Sequence, residues 1–242
     1  MGQPDWLILL PPSEGKAEGG RTATPWKCES GTFARALSGP RQEVADRLAH
    51  VRGGDQALLG VKGQLLDRAR VANSSVVGGP SLPAWQRYTG VVWDHLDLAG
   101  MDTVARSAAA KRILVVSGLA GVVLASDPLP DYRLKMGARL APFGVMSRWW
   151  RDPVTDAIAR HVRDRVLVDL LPQEHRAALD TDRLPSLVRV DLVAKSGGVV
   201  GGHNAKAAKG LLARHLLGAT SGTLRARIAT FNHPEYRARI AD

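Results

Sequence analysis

The sequence predicts an α+β (mixed α/β) fold: one domain over residues 1–242, with a central mixed sheet or partly closed barrel surrounded by helices. Three observations carry that expectation. Short apolar runs of strand length alternate with longer stretches whose apolar residues recur at helical spacing. Hydrophobic residues make up 45% of the 242, enough for a sizeable core. Beyond one Gly-rich segment near the start, the chain shows neither an internal repeat nor a low-complexity tract.

Each element follows from local chemistry. "WLILL", residues 6–10, is a buried strand stopped by Pro11-Pro12. The polar, Gly-rich "SEGKAEGGRTATPWKCESG" that follows is a long loop, and long ordered loops in compact domains tend to serve function. "GPRQEVADRLAHV" places Pro40 in a first helical turn and Val44, Leu48 and Val51 on one face, with Gly53-Gly54 ending it. Asp55 caps a short helix, "QALLG", and "VKGQLLDRARVAN" leads into another. "SSVVGGPSLP" is a linker-like break, and "AWQRYTGVVWDHLDLAGM" reads mostly as helix. "KRILVVSG", "VLVDLLP" and "LVRVDLVAKSGG" are strands, while "SRWWRDPVTDAIARHV" and "AKAAKGLLARHLLG" are helices, the second ending at Gly218.

Composition narrows the function classes. With 33 Lys plus Arg against 23 Asp plus Glu, the formal charge is +10. That excess favours nucleic acid as a partner, then phosphorylated small molecules, then anionic membrane surfaces. The single cysteine, Cys28, excludes a disulfide framework and a Cys-rich metal site, and it fits a cytoplasmic protein. The apolar run at Trp6 to Leu10 is too short for a signal peptide and no basic region precedes it, so no membrane association is expected. Seven histidines fall into no zinc-binding spacing, and neither metal nor cofactor is expected.

Three stretches have the chemistry to hold an anion. "PPSEGK" (11–16) leaves a core strand at its carboxyl end, where α/β proteins place ligands, and offers Ser13, Glu14 and Lys16. It lacks the Walker spacing. "LLGVKG" (58–63) lies between two helical pieces, forming a helix-hairpin-helix-like element near residues 55–73 with Lys62, Arg68 and Arg70. Its Gly60-Val61-Lys62-Gly63 spacing departs from the usual Gly-apolar-Gly hairpin and on its own better fits a plain helix C-cap with a solvated lysine. "HNAKAAKGLLARH" (203–215) sets Lys206 and Lys209 three apart near a helix start, with Asn204 as a candidate N-cap. Cations there oppose the helix dipole unless an anion joins them. Ser117 sits in no nucleophile elbow, and Trp149 and Trp150 read as packing residues.

The stretch "SGLAGVVLASDPLPDYRLKMG" (117–137) resembles the signature of the YaaA family of bacterial proteins, which runs Ser-Gly-Leu-Tyr-Gly, a Leu-rich connector, then Tyr-Arg-Leu-x-Met-Gly. "PPSEGK", "YTGVVWDHLDL", "FGVMSRWWRDPVTDAI", "HNAKAAKGLL" and "FNHPEYR" follow the family's order, so the resemblance spans nearly the whole chain. It implies one intact domain, a positively charged cleft, DNA binding partly through a helix-hairpin-helix element, and a role in limiting peroxide damage by restraining free iron. The chain departs from the pattern at Ala120, where the family has Tyr, in the connector "VVLASDPLP", and in "LPQEHRAAL" (171–179), all expected beside the cleft.

Two functions follow as expectations. The first is a cytoplasmic, DNA-binding protein of peroxide resistance, not selective for sequence, with Lys62, Arg68, Arg70, Lys206 and Lys209 meeting phosphates. The second is an enzyme for a phosphorylated or carboxylated small molecule. There Lys16, Arg133, Lys206 and Lys209, with Ser13, Lys135 and Asn204 nearby, bind the anion, and Glu14, Ser117 or Tyr132 handles protons. A buried lysine is the side chain most readily shifted into use as a base or amine nucleophile.

Overall fold

The computed structural model describes residues 6–197, 201–218 and 222–241. Residues 1–5, on which the absence of a leader was read, and Gly198, at the end of a predicted strand segment, lie outside them.

In chain order, β1 (Trp6–Leu10) precedes a long loop, then α1 (Ala34–His50), α2 (Gln56–Leu59) and α3 (Gln64–Ser74). Next come β2 (Ser81–Pro83), α4 (Ala84–Arg87), α5 (Val91–Leu96) and α6 (Thr103–Ala110). The middle holds β3 (Ile113–Ser117), β4 (Gly121–Leu124), β5 (Pro128–Pro130), β6 (Arg139–Leu140), β7 (Gly144–Val145) and α7 (Met146–Val162). The last part holds β8 (Val166–Asp169), α8 (Gln173–Arg176), β9 (Leu187–Ala194), α9 (Gly202–Leu217), α10 (Leu224–Ala229) and β10 (Tyr236–Ile240).

Six strands form one mixed sheet in the order β10-β9-β8-β1-β3-β4. β1 runs parallel to β3 (Ile8 opposite Ile113) and to β8 (Trp6 opposite Val166), and β8 is parallel to β9. β4 and β10 close the two edges antiparallel, so the sheet is open and the barrel alternative falls. Every residue of β1 and β3 is buried, as expected of parallel strands covered on both faces. β10 alternates instead, with Tyr236 inward and Arg237 and Arg239 outward, as an edge strand does. Two small ribbons, β2 with β5 and β6 with β7, lie outside the main sheet.

Several local expectations change. α1 starts at Ala34 and carries Pro40 inside it, because burial of Phe33 and Leu37 extends the helix upstream of the proline. "SSVVGGPSLP" is no linker, since its end forms β2. α9 starts at Gly202 after an extended Gly201, so Asn204 is not its N-cap; the Asn204 amide donates to Glu235 at 3.1 Å. Lys206 and Lys209 therefore lie beyond the first turn, where a terminal dipole acts weakly.

α9 is held against α5 at Gly210, where an added Cβ would stand 2.3 Å from the Val92 carbonyl oxygen. Overpacking of this kind costs about 1–3 kcal/mol. Gly210→Ala should therefore lower the unfolding free energy measured in urea by that cost less the roughly 0.5–1 kcal/mol that Ala gains over Gly inside a helix, and a stabilised variant would mean the helices give way here.

Candidate functional site

The carboxyl ends of the parallel strands carry the chemistry. Leaving β1, the segment 11–17 is fastened to α4, α5 and the turn between them: Trp93 Nε1 donates to the Pro11 carbonyl at 3.3 Å, Thr89 N–H to the Gly15 carbonyl at 3.1 Å, and Ala17 N–H to the Arg87 carbonyl at 2.9 Å. Gly15 lets the two segments lie close, since a Cβ would meet Thr89 Oγ1 at 2.8 Å and the hydroxyl would have to turn away. The Lys16 ammonium turns inward. It donates to the Ser13 carbonyl at 2.9 Å and lies 4.2 Å from the centre of the Tyr132 ring.

Below that ring three hydroxyls form a chain. Tyr132 Oη is 2.9 Å from both Ser117 Oγ and Tyr88 Oη, and Ser117 Oγ accepts from Ala120 N–H at 3.0 Å. All three residues are buried. Burial pushes the Tyr132 phenol up to about 12, and the Tyr88 phenol rises well above its ordinary range for the same reason. Ser117 and Tyr132 therefore fix the ring's position from inside the core. Ala120 is buried too, with its carbonyl accepting from Arg41 at 3.0 Å, so this departure from the signature lies in the core beneath the site.

Arg133 is fixed on three sides. Its N–H donates to Asn73 Oδ1 at 2.8 Å, Asn73 Nδ2 donates back to the Arg133 carbonyl at 2.8 Å, and Arg133 Nε donates to the Leu59 carbonyl at 3.1 Å. The free end of the guanidinium meets Glu14 at 2.7 Å, and Lys135 meets the same carboxylate at 2.9 Å. Partial burial raises the Glu14 pKa, but Lys135 and Arg133 together hold it below the usual range. Lys16 moves further: burial outweighs the pull of Asp131 and, with Arg133 repelling it, lowers the ammonium to about 7.

Two cavities meet at Glu14. A small one of about 270 Å³ is lined by Lys16, Arg68, Asp131, Tyr132 and Arg133. A larger cleft of about 1160 Å³ lies across the ends of β1, β8 and β9 and is lined by Ser13, His175, Asp191, Lys206, Lys209 and Arg239, among others. Glu14 borders both. Burial lowers the Lys209 ammonium to about 8 against the pull of Asp169, and burial also lowers the His175 imidazole.

Of the hairpin candidates only Arg68 reaches a cavity. Lys62 is exposed on the turn between α2 and α3 and borders neither cavity. Arg70 turns to the Gly54 carbonyl at 2.9 Å, and Arg68 pairs with Glu18 at 2.8 Å and Asp131 at 3.0 Å. Sequence reasoning missed Asn73, Asp131 and His175. The last carried a signal, since "LPQEHRAAL" leaves a strand at the carboxyl edge. His175 Nδ1 is buried with no hydrogen-bond partner among the described residues. No group of three or more metal-ligating side chains occurs among those residues, and no helix is long and apolar enough to cross a membrane.

An open mixed sheet whose polar loops and lysines gather at the carboxyl edge of its parallel strands defines an α/β protein with a ligand-sized cleft at that edge. The chain belongs to the family described as Peroxide stress protein YaaA, which residues 6–241 match. It is similar to a UPF0246 protein of Streptomyces coelicolor, 37% identical over 220 residues, covering 87% of this chain and 82% of that one. A UPF0246 protein of Corynebacterium glutamicum is 32% identical over 217 residues, covering 87% and 84%. One of Corynebacterium efficiens is 37% identical over 169 residues, covering 68% and 65%.

The Lys16 environment has a signed consequence for stability. Between about 7 and the ordinary 10.5, the unfolded chain holds a proton that folded Lys16 does not, so stability rises with pH in that window. Below about 7 the full cost of burying the charge is present. Lys16→Met should therefore gain most over the wild type near pH 6 and progressively less towards about pH 10, as urea unfolding of both proteins reads it. A gain independent of pH would mean Lys16 titrates normally.

Proposed function

We propose that this YaaA-family protein binds a small molecule bearing carboxylate or phosphate groups in the carboxyl-edge cleft, and that it serves peroxide resistance through that ligand. The observation that carries the reading is the state of the cleft's cations. Lys206 and Lys209 border the cleft with no carboxylate within ion-pair distance among the described residues, while Arg133 and Lys135 hold a carboxylate at its rim. Cations left unpaired in a walled space favour an anion that arrives from outside. A volume of about 1160 Å³ suits a small molecule better than a duplex.

Peroxide itself is not read by the thiol. Cys28 is buried, and burial, with Glu29 beside it, raises its pKa to about 11. Peroxide attacks thiolates, and both the burial of Cys28 and its raised pKa disfavour that form.

The cleft predicts that inorganic phosphate or oxalate raises the melting temperature, saturating ligand at a hundredfold its Kd adding about 2.7 kcal/mol. Lys206→Ala with Lys209→Ala should remove that shift. The same shift in the double variant would move the ligand elsewhere.

DNA binding is the second reading, favoured by the exposed Lys62 on the turn capped by left-handed Gly60 and by the +10 charge. It requires binding that weakens steeply with salt, with a log–log slope that falls by about 1 for a lost phosphate contact in Lys62→Ala. A slope unchanged in that variant would remove the turn from any such interface.

A further inference from the structure

Arg133 and Lys135 already show what they grip. Their two cationic ends close on one carboxylate, that of Glu14, at 2.7 and 2.9 Å. Among the described residues the Glu14 carboxylate is held by these two cations alone: its side chain is 59% exposed and borders both cavities. A ligand carboxylate entering from the cleft can take its place without disturbing the core. Arg133 is pinned by Asn73 and the Leu59 carbonyl and is only 12% exposed, so the arginine side of the receiving fork is rigid.

Lys16 opens onto the same small cavity as Arg133. Unlike Lys135, it has no carboxylate within ion-pair distance among the described residues; its one hydrogen bond goes to the Ser13 carbonyl. One wall beside the nitrogen is the Tyr132 ring, which the Ser117 and Tyr88 hydroxyls hold in place. A lysine serving only solubility or pairing would reach water or an acid. This one presents a primary amine beside a carboxylate-binding fork.

We propose that Lys16 is a catalytic residue whose amine forms an imine with the carbonyl of an α-oxo acid, the ligand's carboxylate replacing Glu14 on Arg133 and Lys135. The inference rests on the cleft being an anion site. The Nζ lone pair adds to the ligand's carbonyl carbon, the C=O π electrons moving to oxygen. Proton transfer from nitrogen to oxygen gives a carbinolamine. Loss of the hydroxyl with a second proton as water leaves C=N, so amine plus carbonyl yields imine plus water with no change of oxidation state. The lowered ammonium supports the step, because a lysine at about 7 is part neutral amine at neutral pH.

The full chain is incubated with pyruvate and sodium cyanoborohydride near neutral pH, and adducts are located by peptide mass spectrometry. The expected result is a reduced adduct on Lys16 about fivefold above Lys209, whose ammonium lies at about 8, and higher still above any lysine other than Lys209. It should be absent in Lys16→Arg and increased in Glu14→Gln, which removes the competing carboxylate. Adducts spread evenly over the lysines, or centred on another one, would overturn the proposal. Oxalate, which has the carboxylates but no ketone, separates the two levels. If oxalate raises the melting temperature and pyruvate leaves no adduct on Lys16, the imine is wrong and the anion site stands. If oxalate, phosphate and pyruvate all fail, both are wrong. The wild-type peptide map does not depend on any variant folding.

Discussion

Segment 11–33 has almost no regular structure, and its backbone carbonyls would be left unsatisfied inside the protein if two buried arginines did not meet them. Arg87 donates to the carbonyls of Ala17, Gly19 and Pro80, and also to Leu129. Arg41 donates to those of Cys28 and Ser30 and, across the sheet edge, to Ala120 and Val122. Neither guanidinium forms an ion pair with a carboxylate among the described residues; their charge is compensated by carbonyl dipoles, and burial lowers both pKa values, that of Arg41 to about 10. This arrangement turns a long polar loop into a fixed wall, and Glu14 and Lys16 stand on that wall.

The opposite wall is built by different means. Tyr132 and Arg133 follow the ribbon strand β5, and they are pinned from below by Ser117 at the end of β3 and from the side by Asn73 on α3. Gly118 lets the chains approach, for a Cβ there would lie 2.4 Å from the Leu134 carbonyl oxygen. Glu174 extends the same wall into the larger cleft by accepting from Gly137 N–H at 2.8 Å. The signature stretch is thus a brace between sheet, α3 and α8, and its polar residues divide between brace and cavity lining.

The strands of the parallel core were legible because Trp6–Leu10, Ile113–Ser117 and Val166–Asp169 are apolar runs between breakers, and burial on both faces leaves that mark. The start of α1 was not, because Pro40 reads as a first-turn residue unless the burial of Phe33 is known. The edge strand β10 was missed because it is half exposed and rich in arginine, and only its pairing with β9 makes it a strand. At the site, Glu14, Lys16 and Arg133 could be named from their place after strands and in the signature. Asn73 and Asp131 could not, since their roles exist only through contacts with residues distant in sequence, such as Asn73 with Arg133 and Asp131 with Arg68. Lys62 and Arg70 shared a plausible motif with Arg68, yet the folded chain points them away from the cavities.

The sulfur atoms add one more consequence. Cys28, Met136 and Met146 are all buried, the last wholly so, and Met101 is partly covered. Thioethers and thiols are the side chains an oxidant alters first, and access governs how fast. Packing therefore keeps the sulfurs of Cys28, Met136 and Met146 out of reach of an oxidant in solution, and leaves Met101 the more accessible of the described thioethers.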